Sequence, residues 1–303
     1  MSVILQQLLY LYLFLLLGWL FGRLKQDLPS HTGLLSFLLV NLLLPAKVFI
    51  TFQRNFTVSY LSENRITILL SLGLLLLLVL IAKPLAHLLT KDGHRRRVYR
   101  YSLTVSNYAY MGYVLVEDLF GTAALTDLIL FCIPFAFYTY TFGYAMLTGK
   151  ERSMKRLLNP LSVAILFGIV FGLAGLSLPT VLDKAFSASS ACVGPISMVL
   201  TGLVLSTFSL RSLVTDKGVF AVVGLRLVAL PLAVLGLFKL IGLTGIVPAA
   251  ALTSAVMMAS MPCGLNTIVF PRLMGEDCAP GARLAFLSHL LSVLTLPIWL
   301  SIL

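Results

Sequence analysis

Charge is scarce in this 303-residue chain. Asp, Glu, Lys and Arg together make up 11% of the residues, whereas hydrophobic residues make up 59%. A typical soluble domain has about 25% charged residues, because water must wet its surface. Apolar runs of roughly 20 residues recur along the chain, and this length crosses a hydrocarbon core about 30 Å thick. The composition therefore excludes a soluble globular protein and predicts an all-α integral membrane protein with many spans.

Common catalytic signatures are also missing from the sequence. There is no G-x-x-x-x-G-K-[S/T], no H-E-x-x-H and no G-x-S-x-G. Their absence argues against a P-loop ATP-driven pump and against two common classes of hydrolase. The four cysteines and four histidines show no metal-ligand spacing. We therefore predict no catalytic residue, no metal site and no cofactor, and we expect that the protein is not an enzyme.

The charge that is present is mostly positive, with a formal net charge of +11. In a soluble protein this balance would indicate nucleic-acid binding, but here the basic residues fall in short loops, so no nucleic-acid partner is expected. We predict ten spans, at residues 3–22, 32–53, 65–89, 99–120, 126–147, 158–175, 190–208, 217–239, 247–270 and 284–303. With both termini outside, 15 of the 22 basic residues lie in cytoplasmic loops and 4 in outer loops. This bias follows the positive-inside rule and indicates a multi-pass plasma (inner) membrane protein.

The chain repeats itself about halfway along. G-W-L-F-G at 18–22 resembles G-I-V-F-G at 168–172, and K-P-L at 83–85 has a counterpart in L-P-L at 230–232. Residues 106–121 of span 4 align with residues 260–275 of span 9 at a constant shift. Each repeat would hold five spans, so the second must enter the membrane inverted. Residues 1–149 and 150–303 are therefore predicted to be inverted five-helix repeats, a signature of secondary transporters; the alternative is chance similarity between two Leu-rich halves.

Spans 4 and 9 have polar centres that weaken a helix. Pro262 lacks an amide proton and Gly264 leaves helical geometry at little cost, while Asn107 and Asn266 are short amides at the corresponding breaks. Freed backbone groups cannot face lipid, so they must be buried in protein or line a wet cavity. We expect the two broken helices to meet at mid-membrane, where helix N-termini attract an anion. The alternative is a simple proline kink.

Four motifs resemble the auxin efflux carrier (PIN-like) transporter family: N-L-L-L-P at 41–45, S-N-Y-A-Y-M-G-Y at 106–113, N-P-L-S-V-A-I-L-F-G at 159–168 and S-M-P-C-G-L-N-T at 260–267. The resemblance covers nearly the whole chain. It implies a ten-helix fold like that of sodium–proton antiporters and bile-acid transporters, with scaffold spans 1, 2, 6 and 7 and transport spans 3–5 and 8–10 that contain the crossing helices 4 and 9. It also implies transport of small carboxylated anions and a homodimer.

One position departs from the family pattern, because Tyr113 stands where members often have proline. This substitution puts tyrosines near the first break and questions how sharp that break is. The predicted substrate-binding residues are Asn107, Tyr108, Tyr110, Gly112, Tyr113, Pro262, Gly264, Asn266 and Thr267.

Ionisable residues within spans need a reason, because a charge near the bilayer centre costs on the order of 2.5–3.5 kcal/mol. Arg226 is a candidate partner for a substrate carboxylate, and the alternative is snorkelling to the cytoplasmic face. Lys83 could support the crossing or snorkel toward the Arg-rich loop. His289 could relay protons or simply pack between helices. Lys47 is expected to snorkel. Glu117 and Asp118, at the outer end of span 4, are expected to be solvated, and a gating role is the alternative.

These observations together predict a secondary active transporter that moves small organic carboxylate anions by alternating access. Its partners would be the anion and membrane lipids, with coupling to protons or sodium left open. A sodium-coupled organic-anion symporter of the bile-acid-transporter type is the alternative within the same class. A non-transporting membrane receptor or an intramembrane enzyme is the alternative from another class.

Overall fold

The computed structural model describes residues 2–25, 27–149, 154–209, 216–242, 247–273 and 277–302. Within these ranges the chain is helical, and its one β-type feature is an isolated antiparallel bridge between Ser106 and Cys263. In the first half the α-helices are Ser2–Leu24, Thr32–Leu38, Leu44–Asn55, Val58–Asn64, Thr67–Leu89, Gly93–Thr104, Tyr113–Tyr138 and Tyr144–Thr148. In the second half they are Pro160–Leu173, Thr180–Ala191, Val193–Ser206, Lys217–Gly224, Leu230–Gly242, Ala249–Ser260, Asn266–Leu273 and Ala279–Ile302.

Wider π-helical turns join several of these helices, at Leu39–Leu43, Tyr108–Gly112, Thr139–Gly143 and Leu225–Ala229. Two of the turns come just before Pro45 and Pro231. A proline has no amide proton to give to the preceding turn, so the regular ladder is locally rearranged there.

Several helices begin at a side chain that caps them. The side chain of Asn159 accepts a hydrogen bond from the Ser162 amide, and Pro160 occupies the first helical position. The Asp92 carboxylate accepts from the Arg95 amide in the same way. These caps satisfy amides at helix starts that have no partner within the helix.

Among the residues that the structure describes, seven helical segments are long and apolar enough to cross a membrane, and they indicate an integral membrane protein. They correspond to predicted spans 1, 2, 3, 5, 7, 8 and 10, and the segment at span 5, Tyr108–Thr148, also includes the second half of span 4. Span 6 is the shorter helix Pro160–Leu173, while spans 4 and 9 are interrupted near their centres. Gly121, with a φ of 84°, bends the chain between spans 4 and 5. The count of ten spans and the inverted repeat stay predictions.

The repeated glycine pairs allow close helix packing within the subunit. Span 1 packs along span 7, where a Cβ on Gly18 would collide with the Val199 backbone. Span 6 packs along span 2, where a Cβ on Gly168 would lie 2.9 Å from the Phe49 carbonyl oxygen. The glycine faces are therefore used within one subunit, which leaves them unsuited to dimerisation.

The remaining helices form a second packed group. Thr67–Leu89 packs against Gly93–Thr104 and Tyr113–Tyr138, and Leu230–Gly242 packs against Ala249–Ser260. The outer faces of this group carry exposed leucines, such as Leu69, Leu80 and Leu88. Lipid can solvate these side chains, so the buried polar groups are concentrated inside the bundle.

Candidate functional site

Spans 4 and 9 both break, and their broken segments touch. The first half of span 4 ends at Thr104, after which Val105 is extended with φ −117° and ψ 127°. The first half of span 9 ends at Ser260, and Met261 is extended with φ −64° and ψ 147°. The backbone amide of Asn107 donates a 2.8 Å hydrogen bond to the Pro262 carbonyl across the crossing. A backbone donor freed at one break therefore pairs with a backbone acceptor at the other.

The two backbones approach closely at Gly264. A Cβ built on this residue would lie 3.1 Å from the Ser106 carbonyl oxygen, which is tighter than ordinary contact. Glycine at 264 therefore lets the two extended segments lie side by side. Nearby, the Cys263 amide donates to the Ser288 hydroxyl at 3.0 Å, which ties span 10 to the same break.

Pro262 explains how the end of the first half of span 9 is stabilised. In a regular helix the amide four residues on would bond the Met258 carbonyl, but that residue is Pro262 and has no amide proton. The Ser106 hydroxyl donates to this carbonyl at 2.7 Å, and Arg226 Nη2 donates at 3.0 Å. Two side chains from other spans thus replace the missing helical bond.

Arg226 is fully buried and holds both breaks at once. Its Nη1 donates to the Leu103 carbonyl and its Nε to the Met261 carbonyl, each at 3.3 Å. In a regular helix the backbone amide of Asn107 would bond the Leu103 carbonyl, but here it bonds the Pro262 carbonyl instead. The guanidinium also lies at the negative ends of two half-helices, which stabilises its charge. The snorkelling alternative for Arg226 is therefore wrong, and the side chain is occupied by backbone carbonyls.

A small cavity lies beside the crossing, with a volume of about 20 Å³. This space is large enough for one water molecule but too small for an organic acid. Five predicted site residues line it: Asn107, Tyr108, Tyr110, Gly264 and Asn266. Leu44 of span 2 and Leu161 of span 6 also line it, and both belong to motifs that carry the family resemblance. The cavity therefore lies between the crossing and the predicted scaffold spans.

Four predicted site residues do not line this cavity: Gly112, Tyr113, Pro262 and Thr267. The Thr267 hydroxyl donates to the Gly264 carbonyl at 2.9 Å, so it supports the backbone at the break. Tyr113 packs its ring against Tyr108, with ring centres 5.8 Å apart. Span 4 still breaks without the family proline, because the break lies at 105–107, before Tyr113.

The two asparagines have different surroundings. Asn266 Nδ2 donates to the Tyr101 hydroxyl at 3.1 Å, and its Oδ1 accepts from the Tyr110 hydroxyl at 3.4 Å. Asn107 Nδ2 lies 3.0 Å from Nε2 of His289, and both side chains are buried. His289 is thus in direct contact with a predicted site residue, while Lys83 is exposed on span 3, outside the buried crossing.

Sequence reasoning missed Tyr101, whose hydroxyl accepts a hydrogen bond from Asn266 Nδ2. It also missed Thr139 and Tyr140 of span 5, which line the cavity. A faint signal for the last two is the polar stretch Y-T-Y-T-F-G within span 5. Among the described residues, no group of three or more His, Cys, Asp or Glu side chains could hold a metal ion.

Lys47 also differs from expectation. It is 1% exposed and forms an ion pair with Glu117, so it does not snorkel. The pair joins span 2 to the far end of span 4.

Comparisons with known proteins agree with this architecture. An uncharacterized transporter of Methanocaldococcus jannaschii is 26% identical over 295 residues, covering 92% of this chain and 91% of the relative. An uncharacterized transporter of Methanothermobacter thermautotrophicus is 28% identical over 199 residues, covering 64% of this chain and 63% of that relative. The family model described as membrane transport protein matches residues 3–156 and 150–300. The resemblance predicted from the motifs is confirmed, and the chain belongs to this auxin efflux carrier-like family of membrane transport proteins.

Proposed function

We propose that this protein is a secondary active transporter that moves small organic carboxylate anions by alternating access. The observation that carries the proposal is the meeting of two broken helices beside a cavity that also touches spans 2 and 6. The second halves of spans 4 and 9 begin at this cavity, with Asn107 and Asn266 at their starts. The start of a helix favours an anion, because its first amides have no partner within the helix. In span 9 the Thr267 and Ile268 amides already bond the Gly264 and Leu265 carbonyls, so the start of the span 4 half is the better anion site.

The transport spans are bound to one another by polar contacts. Arg226 of span 8 bonds carbonyls in spans 4 and 9. Asp216, at the start of span 8, forms ion pairs with Arg95 before span 4 and Arg283 before span 10. These contacts support a group of helices that moves as one body against spans 1, 2, 6 and 7.

Two clefts lie along the seam between these groups, at opposite ends of span 2. One has a volume of about 230 Å³ and is lined by Thr32 and Ser36 together with Arg272 from the end of span 9. The other has a volume of about 140 Å³ and is lined by Thr51, Arg54 and other residues. An arginine borders each cleft. Arg272 suits an anionic substrate at the first cleft, whereas Arg54 at the second is paired with Asp183 and shares the cleft with Glu117. The closed cavity between the clefts would widen when one group slides.

We place the protein in the plasma (inner) membrane with both termini outside, because the basic residues favour that orientation. Proton and sodium coupling are both compatible with the site and are separated by experiment. A carrier changes access to a site without forming covalent bonds, so the proposal requires no catalytic residue and no cofactor.

The test is uptake by the purified chain in sealed lipid vesicles. Labelled malate and labelled indole-3-acetate are supplied with a pH gradient, with a sodium gradient, and with neither. Saturable uptake that unlabelled acid competes away is the expected result. Uptake that requires sodium would favour the bile-acid-type symporter, and a panel of acids without flux or binding would favour a receptor or an enzyme and overturn the proposal.

A further inference from the structure

The Asn107 side-chain amide has two polar atoms, of which the protein pairs one and leaves the other unpaired. Its Nδ2 bonds His289, whereas its Oδ1 is buried and has no hydrogen-bond partner. The residue is 1% exposed and lines the cavity beside the crossing. A buried carbonyl without a partner is costly, so this oxygen needs a donor from the cavity, and a water molecule can supply it when no acid is bound.

His289 fixes which end of the amide is paired. Its Nδ1 lies 2.7 Å from the Ala285 carbonyl, which can only accept, so Nδ1 carries the proton. The other nitrogen of the neutral ring is then an acceptor, and it takes the Nδ2 proton of Asn107. The Tyr12 hydroxyl donates to the His289 carbonyl at 2.6 Å and holds this turn against span 1. The amide oxygen is therefore left as the free group of Asn107.

Asn266 provides the contrast, since both ends of its amide are bonded by tyrosines. The two breaks are related in sequence, yet of the two asparagines only Asn107 keeps an unpaired oxygen. The buried Thr139 hydroxyl beside the same cavity also has no partner, but it can donate as well as accept, whereas the amide oxygen can only accept. The difference between the two asparagines comes from His289 of span 10, whose Nε2 accepts the hydrogen bond from Asn107 Nδ2.

We propose that Asn107 Oδ1 accepts a hydrogen bond from the transported acid. The substrates would then be carboxylates that also carry a hydroxyl or N–H donor. This inference rests on the proposed function. An ionised carboxylate has only acceptors, so it cannot itself pair with Oδ1 and must face the helix amides instead. An acid that displaces the water without bringing a second donor leaves the carbonyl unpaired, and such sites reject the analogue strongly.

The first experiment compares matched acids on the unaltered, detergent-purified chain. Kd values are measured by titration calorimetry for malate against succinate, for lactate against propionate, and for indole-3-acetate against its N-methyl form. We expect the donor-bearing acid of at least one pair to bind about tenfold or more tightly. Equal affinities within every pair would overturn the inference while leaving anion transport intact. If the protein binds none of the acids, the proposed function itself is overturned.

Variants then locate the donor's partner. Asn107→Leu removes the acceptor, so discrimination within the pair should fall to about twofold through weaker binding of the donor-bearing acid. His289→Gln offers an acceptor oxygen to Asn107 Nδ2 and should keep the discrimination, whereas His289→Leu frees the amide to rotate and should lose it. His289→Leu with full discrimination would overturn the positioning role of His289. If the Asn107 variant does not fold, the comparison on the unaltered chain still decides.

Discussion

Lys47 of span 2 and Glu117 of span 4 form an ion pair that links the predicted scaffold to the crossing unit. The Lys47 side chain is 2% exposed, while that of Glu117 is 27% exposed. Removing one partner of a buried pair leaves a charge without compensation, and the cost exceeds that of a surface pair. In the alternating-access proposal, this contact would hold spans 2 and 4 together in the closed state.

Glu117→Gln is expected to loosen the closed state by about 1–2 kcal/mol, because buried Lys47 loses its counter-charge. A cysteine placed at Ser190, which lines the neighbouring cleft with Glu117, should then react several-fold faster with a water-soluble thiol reagent. The exchanged pair Lys47→Glu with Glu117→Lys should restore the slow rate. An unchanged rate in Glu117→Gln would show that the pair does not hold the groups together.

Arg226→Met is expected to lower the free energy of unfolding by about 3 kcal/mol or more, because three buried carbonyls lose a donor. Arg226→Lys should also be destabilised, since an ammonium cannot reproduce the planar fork. Thermal unfolding in detergent measures both. Lys83→Met, at an exposed position of span 3, is the matched control and should change little. A normal melting temperature for Arg226→Met would contradict the structural role of this side chain.

Gly264→Val is expected to separate the two broken segments, because its Cβ would press against the Ser106 carbonyl at 3.1 Å and its methyl groups would add to the strain. We expect a loss of about 1–3 kcal/mol and loss of substrate binding. Gly73→Ala is the control, since a Cβ there meets nothing within 4 Å. Thermal shift measurements compare the two, and equal stability of both variants would refute the close approach.

Asn266→Ala is expected to abolish transport while the protein still folds, because the hydroxyl groups of Tyr101 and Tyr110 lose the side-chain amide that orients them. Vesicle uptake measures the effect, and gel filtration checks the fold. Asn41→Ala is the control, since that amide is exposed and bonds only the Phe37 carbonyl of its own helix. Normal uptake by Asn266→Ala would remove Asn266 from the site.

The position of the breaks could be predicted from the sequence, because Pro262 and Gly264 disrupt a helix by local chemistry. Family membership could also be predicted, since the motifs are contiguous in the chain. The partners of Arg226 could not, because a guanidinium can bond any free carbonyl and every residue has one. Tyr101 and Lys47 escaped prediction for a similar reason: their roles come from side chains more than sixty residues away.

Serine and arginine side chains from spans 4, 8 and 10 hydrogen-bond the backbone of span 9 around its break, the Ser288 hydroxyl as an acceptor and Ser106 and Arg226 as donors. None of these helices can therefore shift without losing a buried hydrogen bond. Leu44 and Leu161, which face this assembly from spans 2 and 6, offer no hydrogen bond through their side chains. For the alternating-access proposal, this contrast means that a cohesive group of helices moves along an apolar interface. The movement would exchange one apolar contact for another, and the few polar contacts across the interface, such as the Lys47–Glu117 ion pair, would set the energetic barrier.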